Sequence, residues 1–527
     1  MKVEPDKLPD LVKAMLCPGF YPHQVQAEIG LEQTHTSYVF LTGTYAYKIK
    51  KPVDFGFLNF TSLAAREHNC LDELRLNRRY APEIYLDVLP IRQLANGGFH
   101  LGGHRGEIVE FALCMREFPQ SGLFLHLFET GKLQPKHLIS LGKQIAEVHL
   151  AAPTNAHIQA FGSVAAVREV AEDNYRATVP YIGRGQTKAQ WSETRAFTER
   201  FFLEHGAWLS GRSAAGFVKE CHGDLHLNNV FELDGQVQVF DCIEFNEAFR
   251  NIDVIYDVAF MAVDLDFRGR RDLAYTFLNT YLERTGDYRG AILLPLYQSM
   301  RAYIRAKVQS FLLDDPHLAE EDHAVARTLA EAYYRLAWSY TRPLSPRIWV
   351  CGGLSGSGKS TVAAHLSNRL GAIHLRSDAV RKHLYAHPLD KSGEPGLYTE
   401  EASQRTYRKL IDLAIALGSN GIPVVLDAKF DRRRWRETLY AEAWRAGLPV
   451  LLIYCRAPAN LLSQRLQMRR GDISDATADL LPSQIDSEEP PDESGPVEVH
   501  FLDTSGPWQV TLESLIVARE PLGPDHR

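Results

Sequence analysis

The chain has 527 residues, 45% of them hydrophobic and 23% charged, with a formal net charge of −7. That length exceeds a single core and calls for about two to four domains. The acidic balance argues against a general nucleic-acid coat, the apolar runs are strand-sized rather than membrane-spanning, and seven scattered cysteines give neither a disulfide framework nor a Cys-x-x-Cys zinc site.

Met1–Asp6 has no apolar segment behind a basic start, so the expectation is a cytoplasmic protein with free, buried thiols. Tyr38–Leu41 and Ala46–Lys50 flank a turn at Gly43 and predict a β-hairpin. Residues 63–80 have helical spacing, and Ile108–Leu113 reads as a strand. From about 119 to 340 the pattern is mostly helical, broken by short strands around 229–241. Thr341–Pro346, with two prolines, marks a boundary. Beyond it, strands at 347–351, 372–375, 424–426 and 450–454 alternate with helices, the signature of a parallel α/β sheet. Ser487–Ser494 reads as a solvated acidic loop. The resulting division is 1–118 and 119–340 as two lobes, then 346–527.

Two segments carry chemistry. In the first, His222-Gly223-Asp224 precedes Asn229 by the spacing of the protein-kinase catalytic loop, with Asp241 ending the next strand. A carboxylate has to meet the attacking hydroxyl, while an amide oxygen and a second acid hold Mg²⁺ on the phosphates. Lys48 is the expected ATP-anchoring lysine, with Lys50 on the same strand face as the alternative. Glu73 is the expected helical partner, with Glu67 as the alternative. No glycine-rich loop precedes the hairpin; Glu32–Ser37 stands in its place.

In the second, Gly353-Leu354-Ser355-Gly356-Ser357-Gly358-Lys359-Ser360 lies between an apolar strand and a helix starting near Thr361. Glycines let backbone N–H groups turn inward around phosphates, Lys359 neutralises them and Ser360 holds Mg²⁺. Asp427, at a strand end, would orient the metal's water shell or cap a turn. Asp378 and Arg381 sit one helical turn apart, as base and anion contact or as an N-cap with a surface arginine. Arg465, Arg469 and Arg470 read equally as a phosphate lid or a solvated face, and Arg432–Arg436 as an anion site or an exposed helix start.

The first segment resembles the aminoglycoside phosphotransferase and choline kinase families over roughly residues 20–335. That resemblance implies Asp224 as catalytic base, Asn229 and Asp241 as Mg²⁺ ligands, and Asp257 as a brace for the loop. Residues 347–480 resemble small P-loop kinases, including gluconate kinase, the zeta-toxin group and polynucleotide kinases. There the resemblance implies Asp378 as base, Arg381 as substrate contact, and Arg465 and Arg469 as the lid. The two-part arrangement is similar to bacterial chains labelled bifunctional aminoglycoside phosphotransferase/ATP-binding protein. The expected fold is an α+β kinase-like bilobal domain followed by an α/β P-loop NTPase domain with a parallel sheet. Expected cofactors are ATP and Mg²⁺, and the expected partner is a small-molecule hydroxyl. A regulator, in which one half senses nucleotide and gates the other, is the competing class. Nucleic-acid ends stay open for the second half, against which stand the net charge and the lack of an aromatic platform beside its arginines. No membrane partner is expected, and the sequence does not fix the oligomeric state.

Overall fold

The computed structural model describes residues 8–25, 28–56, 58–342, 346–492 and 497–519. Met1–Asp6, residues 343–345 of the expected linker, and Glu493 and Ser494 of the acidic stretch lie outside them. By packing, the chain divides into two units: Met1–Asp264 with Tyr297–Trp338, and Leu265–Leu296 with Ser339–Arg527.

The first unit opens on a six-stranded antiparallel sheet in the order β1-β2-β3-β6-β4-β5. Its strands are β1 (Gly30–Gln33), β2 (Ser37–Leu41), β3 (Tyr45–Lys50), β4 (Tyr85–Gln93), β5 (Phe99–Leu101) and β6 (Glu107–Arg116). The expected hairpin is β2–β3, with Val39 opposite Lys48. The β1 strand and the β4–β5 pair were not anticipated; Pro90 interrupts the strand pattern of β4, and it lies one residue past the stretch that β5 covers.

Helix α1 (Leu63–Asn77) starts at Ser62, whose hydroxyl accepts from the Ala65 N–H. Arg66, Cys70, Glu73, Leu74, Leu76 and Asn77 are buried, so its inward face mixes apolar groups with polar and charged ones. Arg66 is held there by Glu110, with Nε 2.7 Å from Oε2. The rest of the unit is helical, including α2 (Pro135–Ala151) and the start of the buried α3 (Val254–Phe267). Short strands β7 (Val218–Glu220), β8 (Val230–Leu233), β9 (Gln236–Val239) and β10 (Asn251–Asp253) interrupt the helices. Strands β8 and β9 form a hairpin, and β7 pairs with β10.

The second unit carries a five-stranded, all-parallel sheet in the order β12-β13-β11-β14-β15. Its strands are β11 (Ile348–Gly352), β12 (Ile373–Arg376), β13 (Val424–Asp427), β14 (Val450–Arg456) and β15 (Glu498–Asp503). The central β11 is buried throughout, as a parallel strand covered on both faces must be. Edge strand β15 goes beyond the four strands expected from sequence, because its alternation of polar and apolar residues lacks the continuous apolar run of its neighbours. Helix α4 (Arg271–Thr285) packs against this sheet, although it precedes the expected linker by more than fifty residues. It is followed by α5 (Lys359–Leu370), α6 (Ser377–Leu384), α7 (Glu400–Ser419), α8 (Arg433–Arg445) and α9 (Ala459–Met468).

Candidate active sites

In the first unit, β3 presents Lys48 and Lys50 to one carboxylate on α1. Lys48 Nζ lies 2.8 Å from Glu73 Oε1 and 2.9 Å from Asp241 Oδ1. Lys50, almost fully buried, pairs with the other oxygen of Glu73 and with Glu244. Burial disfavours the Lys48 ammonium, but the charges of Asp241, Glu73 and Glu244 outweigh it and raise its pKa well above the ordinary value. The same lysine holds the Asp241 carboxyl below its usual range. Glu67 lies outside this cluster, and Glu244 enters it unforeseen, brought there by the turn after β9.

The catalytic-loop segment is built on buried turns. Gly223 has φ +87°, and a Cβ there would stand 2.7 Å from the Phe249 carbonyl, so glycine is required. The His222 ring accepts the Asp224 N–H at Nδ1 and donates from Nε2 to the Phe240 carbonyl, 2.9 Å away. Burial lowers the His222 pKa, so the neutral ring fits both bonds. Asn229 Nδ2 donates to the Asp224 carbonyl at 3.0 Å and approaches its Oδ2 at 3.3 Å. His226 Nε2 is 3.2 Å from that same oxygen. Burial pushes the Asp224 carboxyl up, but the His226 contact outweighs it and the carboxyl titrates well below the usual range. Asp241 adopts φ +62°, a left-handed geometry that Asp tolerates, with its N–H donating to the Tyr85 hydroxyl. Asn229 and Asp241 thus offer hard oxygen donors of the kind Mg²⁺ takes, with Asp224 beside them. Asp224 and Asp241 are near enough to repel one another, a repulsion a divalent cation would relieve. In the place of a glycine-rich loop, the β1–β2 turn is fixed by Thr34, whose hydroxyl accepts the N–H groups of Thr36 and Ser37.

Asp257, on α3, accepts the N–H groups of His222 (3.1 Å) and Gly223 (2.8 Å), and His149 Nε2 lies 3.2 Å away. Burial raises its pKa, and the His149 contact brings it down to about 2, against an ordinary 3.8. A folded-state pKa depressed in this way contributes stability that is present above pH 4 and lost as pH falls toward 2. The contribution is about 2 kcal/mol. Asp257→Asn is therefore expected to destabilise the first unit by about that amount at pH 7, with the gap closing between pH 4 and pH 2; urea unfolding at stepped pH measures it. An unchanged pH 7 midpoint would contradict the bracing role.

In the second unit, Gly353, Gly356 and Gly358 all have positive φ. A Cβ on Gly353 would meet the Cys455 carbonyl at 2.3 Å, and one on Gly356 the Leu462 carbonyl at 2.7 Å. The loop is tied from outside by residues the motif did not reveal. Thr504 Oγ1 donates to the Ser357 carbonyl at 2.7 Å, and Gln484 Oε1 accepts the Ser355 N–H at 3.2 Å. Arg465 donates to the carbonyls of Gly356 and Thr504, which fixes it against the loop. Arg469 also faces the loop, and its Nη1 is buried without a hydrogen-bond partner among the described residues. Arg470 turns back onto the carbonyls of Gln467 and Arg469.

Lys359 stands between two clefts. One, of about 410 Å³, holds Ser360, Thr361, Arg465, Arg469 and Trp508. The other, of about 370 Å³, holds Asp378, Arg381, Tyr398, Lys429, Arg434 and Trp435. Asp427 is buried at the end of β13, 3.3 Å from His374 Nε2. Burial raises its carboxyl, and His374 brings it down to about 2. The charge of Lys359 reaches Asp427, and Ser360 follows Lys359 on the first turn of α5; the Ser360 hydroxyl and the ionised Asp427 are oxygen donors of the kind Mg²⁺ takes. Asp378 Oδ1 is 3.7 Å from Arg381, whose guanidinium lies 4.9 Å from the centre of the Tyr398 ring and whose Nε is buried without a hydrogen-bond partner among the described residues.

The basic run splits. Arg432 and Arg434 line the second cleft, Arg433 is exposed, and buried Arg436 donates to the Phe430 carbonyl. The expected lack of an aromatic platform is wrong: Trp435 stacks on Tyr407 with ring centres 4.5 Å apart and lies under Arg434. Tyr407 comes from α7, so no local pattern could pair the two rings. All seven cysteines are free, six of them buried, and Cys17 is exposed. Among the described residues no helix is long and apolar enough to cross a membrane.

A P-loop facing two clefts sets the second unit in a class: nucleotide-dependent kinases. A family model described as "AAA domain" matches residues 348–491. A gluconokinase of Gluconobacter oxydans is 31% identical over 174 residues, 33% of this chain and 91% of that protein. The C-terminal part of the chain belongs to this P-loop kinase family. An uncharacterized protein of Mycobacterium tuberculosis is 28% identical over 486 residues, 91% of this chain and 93% of its own length. For the N-terminal part, the solved structure of a choline/ethanolamine kinase family protein from Mesorhizobium loti covers 63% of this chain and 99% of its own, at 14% identity and a TM-score of 0.37.

Proposed function

We propose that the chain is a tandem phosphotransferase in which each unit moves the γ-phosphoryl group of ATP to a hydroxyl of a small molecule. The observation that carries this reading is the position of Lys359, between a cleft lined by the phosphate loop and lid arginines and a cleft lined by Asp378 and Arg381. A donor on one side and an acceptor on the other share one cation at the point of transfer. Such a site works by positioning and charge neutralisation rather than covalent catalysis.

In the second unit, the loop N–H groups, Lys359, Arg465 and Arg469 bind the donor phosphates. Asp378 accepts the acceptor's proton and Arg381 orients the acceptor. Ser360 and Asp427 hold and orient Mg²⁺. In the first unit, Lys48, fixed by Glu73, contacts the donor phosphates; Asn229 and Asp241 hold the metal; Asp224 takes the hydroxyl proton. Mg²⁺, when bound, supplies neutralisation of the phosphate charge in both sites.

The test is a screen of hydroxylated metabolites with γ-labelled ATP, run on the full chain and on the Asp224→Asn/Asp378→Asn double variant. Labelled products are expected from the former and not from the latter. Products that persist in the double variant would overturn the reading. Nucleotide binding with no product from either would favour a nucleotide-sensing regulator instead.

A further inference from the structure

Arg376, the last residue of β12, holds three carboxylates at once. Its Nη2 donates to Asp472 Oδ1 at 2.6 Å, its Nη1 to Glu283 Oε2 at 3.3 Å, and its Nε lies 3.6 Å from Asp427 Oδ2. Two of these acids belong to the site: Asp427 is the proposed metal-orienting group, and Asp472 lines the donor cleft beside Arg469. The third, Glu283, comes from α4, seventy residues before the P-loop begins.

Its position is built rather than incidental. The Asn279 side chain, one turn earlier on α4, completes the edge of β12 by donating to the Ala372 carbonyl at 3.0 Å and accepting the His374 N–H at 2.9 Å. His383 Nε2 bonds the Glu283 carbonyl at 2.7 Å, and Arg284 pairs with Asp390 at 2.7 Å. Helix α4 is thereby registered against both β12 and α6, and Glu283 meets Arg376 from outside the cleft.

We infer that Glu283 is a positioning residue of the P-loop site, holding Arg376 so that Asp427 keeps enough free charge to orient Mg²⁺. The inference rests on the reading of this unit as a Mg²⁺–ATP phosphotransferase. One guanidinium shared among three carboxylates neutralises each only in part. With the Glu283 charge removed, the cation is drawn onto Asp427 and Asp472, and the metal then has to compete with a closer ion pair in a partly buried site. A bare structural tie between helix and strand would not change metal dependence.

The experiment is calorimetric titration of the full chain with a non-hydrolysable ATP analogue at stepped Mg²⁺ concentrations. The P-loop site is the one lost in Lys359→Ala. Glu283→Gln is expected to raise the Mg²⁺ concentration for half-maximal binding at that site about three- to tenfold, while metal-free nucleotide affinity stays unchanged. Glu283→Asp, which keeps the charge, is expected to fall between Gln and the parent. Asn279→Ala, which removes the backbone bridge, should lower thermal stability and leave the Mg²⁺ midpoint in place. An unshifted midpoint in Glu283→Gln, or an equal shift in Asn279→Ala, overturns the inference. If Lys359→Ala removes no nucleotide site, the P-loop reading itself fails.

Discussion

Asp224→Asn is expected to slow phosphotransfer by the first unit about a thousandfold, within the range general-base groups supply, and to leave transfer by the second unit unchanged. The amide is nearly isosteric with the carboxylate, so the bonds to Asn229 and His226 keep a partner. What is lost is an ionised acceptor for the hydroxyl proton. Because His226 holds this carboxyl well below its ordinary range, the group is fully ionised at neutral pH. The rate of the first unit should therefore show no limb from Asp224 above about pH 5. Lys48, Glu73 and Asp241 are untouched, so affinity for Mg²⁺–ATP should stay within about threefold. Single-turnover transfer to an acceptor of the first unit, with Asp378→Asn as the reciprocal control, measures this. A loss shared equally between both units, or a drop in nucleotide affinity matching the drop in rate, would remove Asp224 from the base position.

Local chemistry was legible wherever function needs neighbours in sequence. The loop at 353–360 needs glycines at fixed intervals because its backbone approaches other carbonyls to within van der Waals distance, and that requirement is written in eight consecutive residues. Asp224 and Asn229 are likewise placed by one turn. The choice between Lys48 and Lys50 was not legible. Both point to the same strand face, both reach Glu73, and what separates them is a residue almost two hundred positions away: Asp241 for Lys48, Glu244 for Lys50. The roles of Gln484 and Thr504 were equally hidden, since a lone polar residue in a short helix or just past a strand has no pattern to announce it.

The allegiance of α4 was the largest gap. Leu273 through Asn279 are buried without interruption, so the helix lacks the one-sided apolar stripe that would tell which neighbour it serves. Read locally, it is one more helix in a helical stretch. Its assignment to the second unit comes from hydrogen bonds to β12 and ion pairs to Arg376 and Asp390, which join residues about ninety to one hundred and six positions apart.

A chain begun at residue 346 is consequently expected not to fold as a stable, cooperative unit, although it contains every residue of the P-loop motif. It lacks both Asn279 bonds to β12 and the Thr276–Asn368 and Glu283–Arg376 contacts, and it leaves uncovered the surfaces of α5 and β12 against which α4 packs. Each hydrogen bond to the strand edge that is exchanged for one to water loses about 0.5–1.5 kcal/mol. Each large apolar side chain returned to water costs about 1.5–3 kcal/mol more. Together these approach the 5–15 kcal/mol or so that holds a typical domain together. The truncated chain should aggregate, or melt well below the corresponding transition of the full protein, and should bind a non-hydrolysable ATP analogue weakly even at saturating Mg²⁺. Light scattering, thermal unfolding and calorimetry on the two chains decide the matter. A monodisperse 346–527 chain that melts within a few degrees of the full protein and binds nucleotide equally well would show that α4 is a neighbour of the P-loop unit and no part of it.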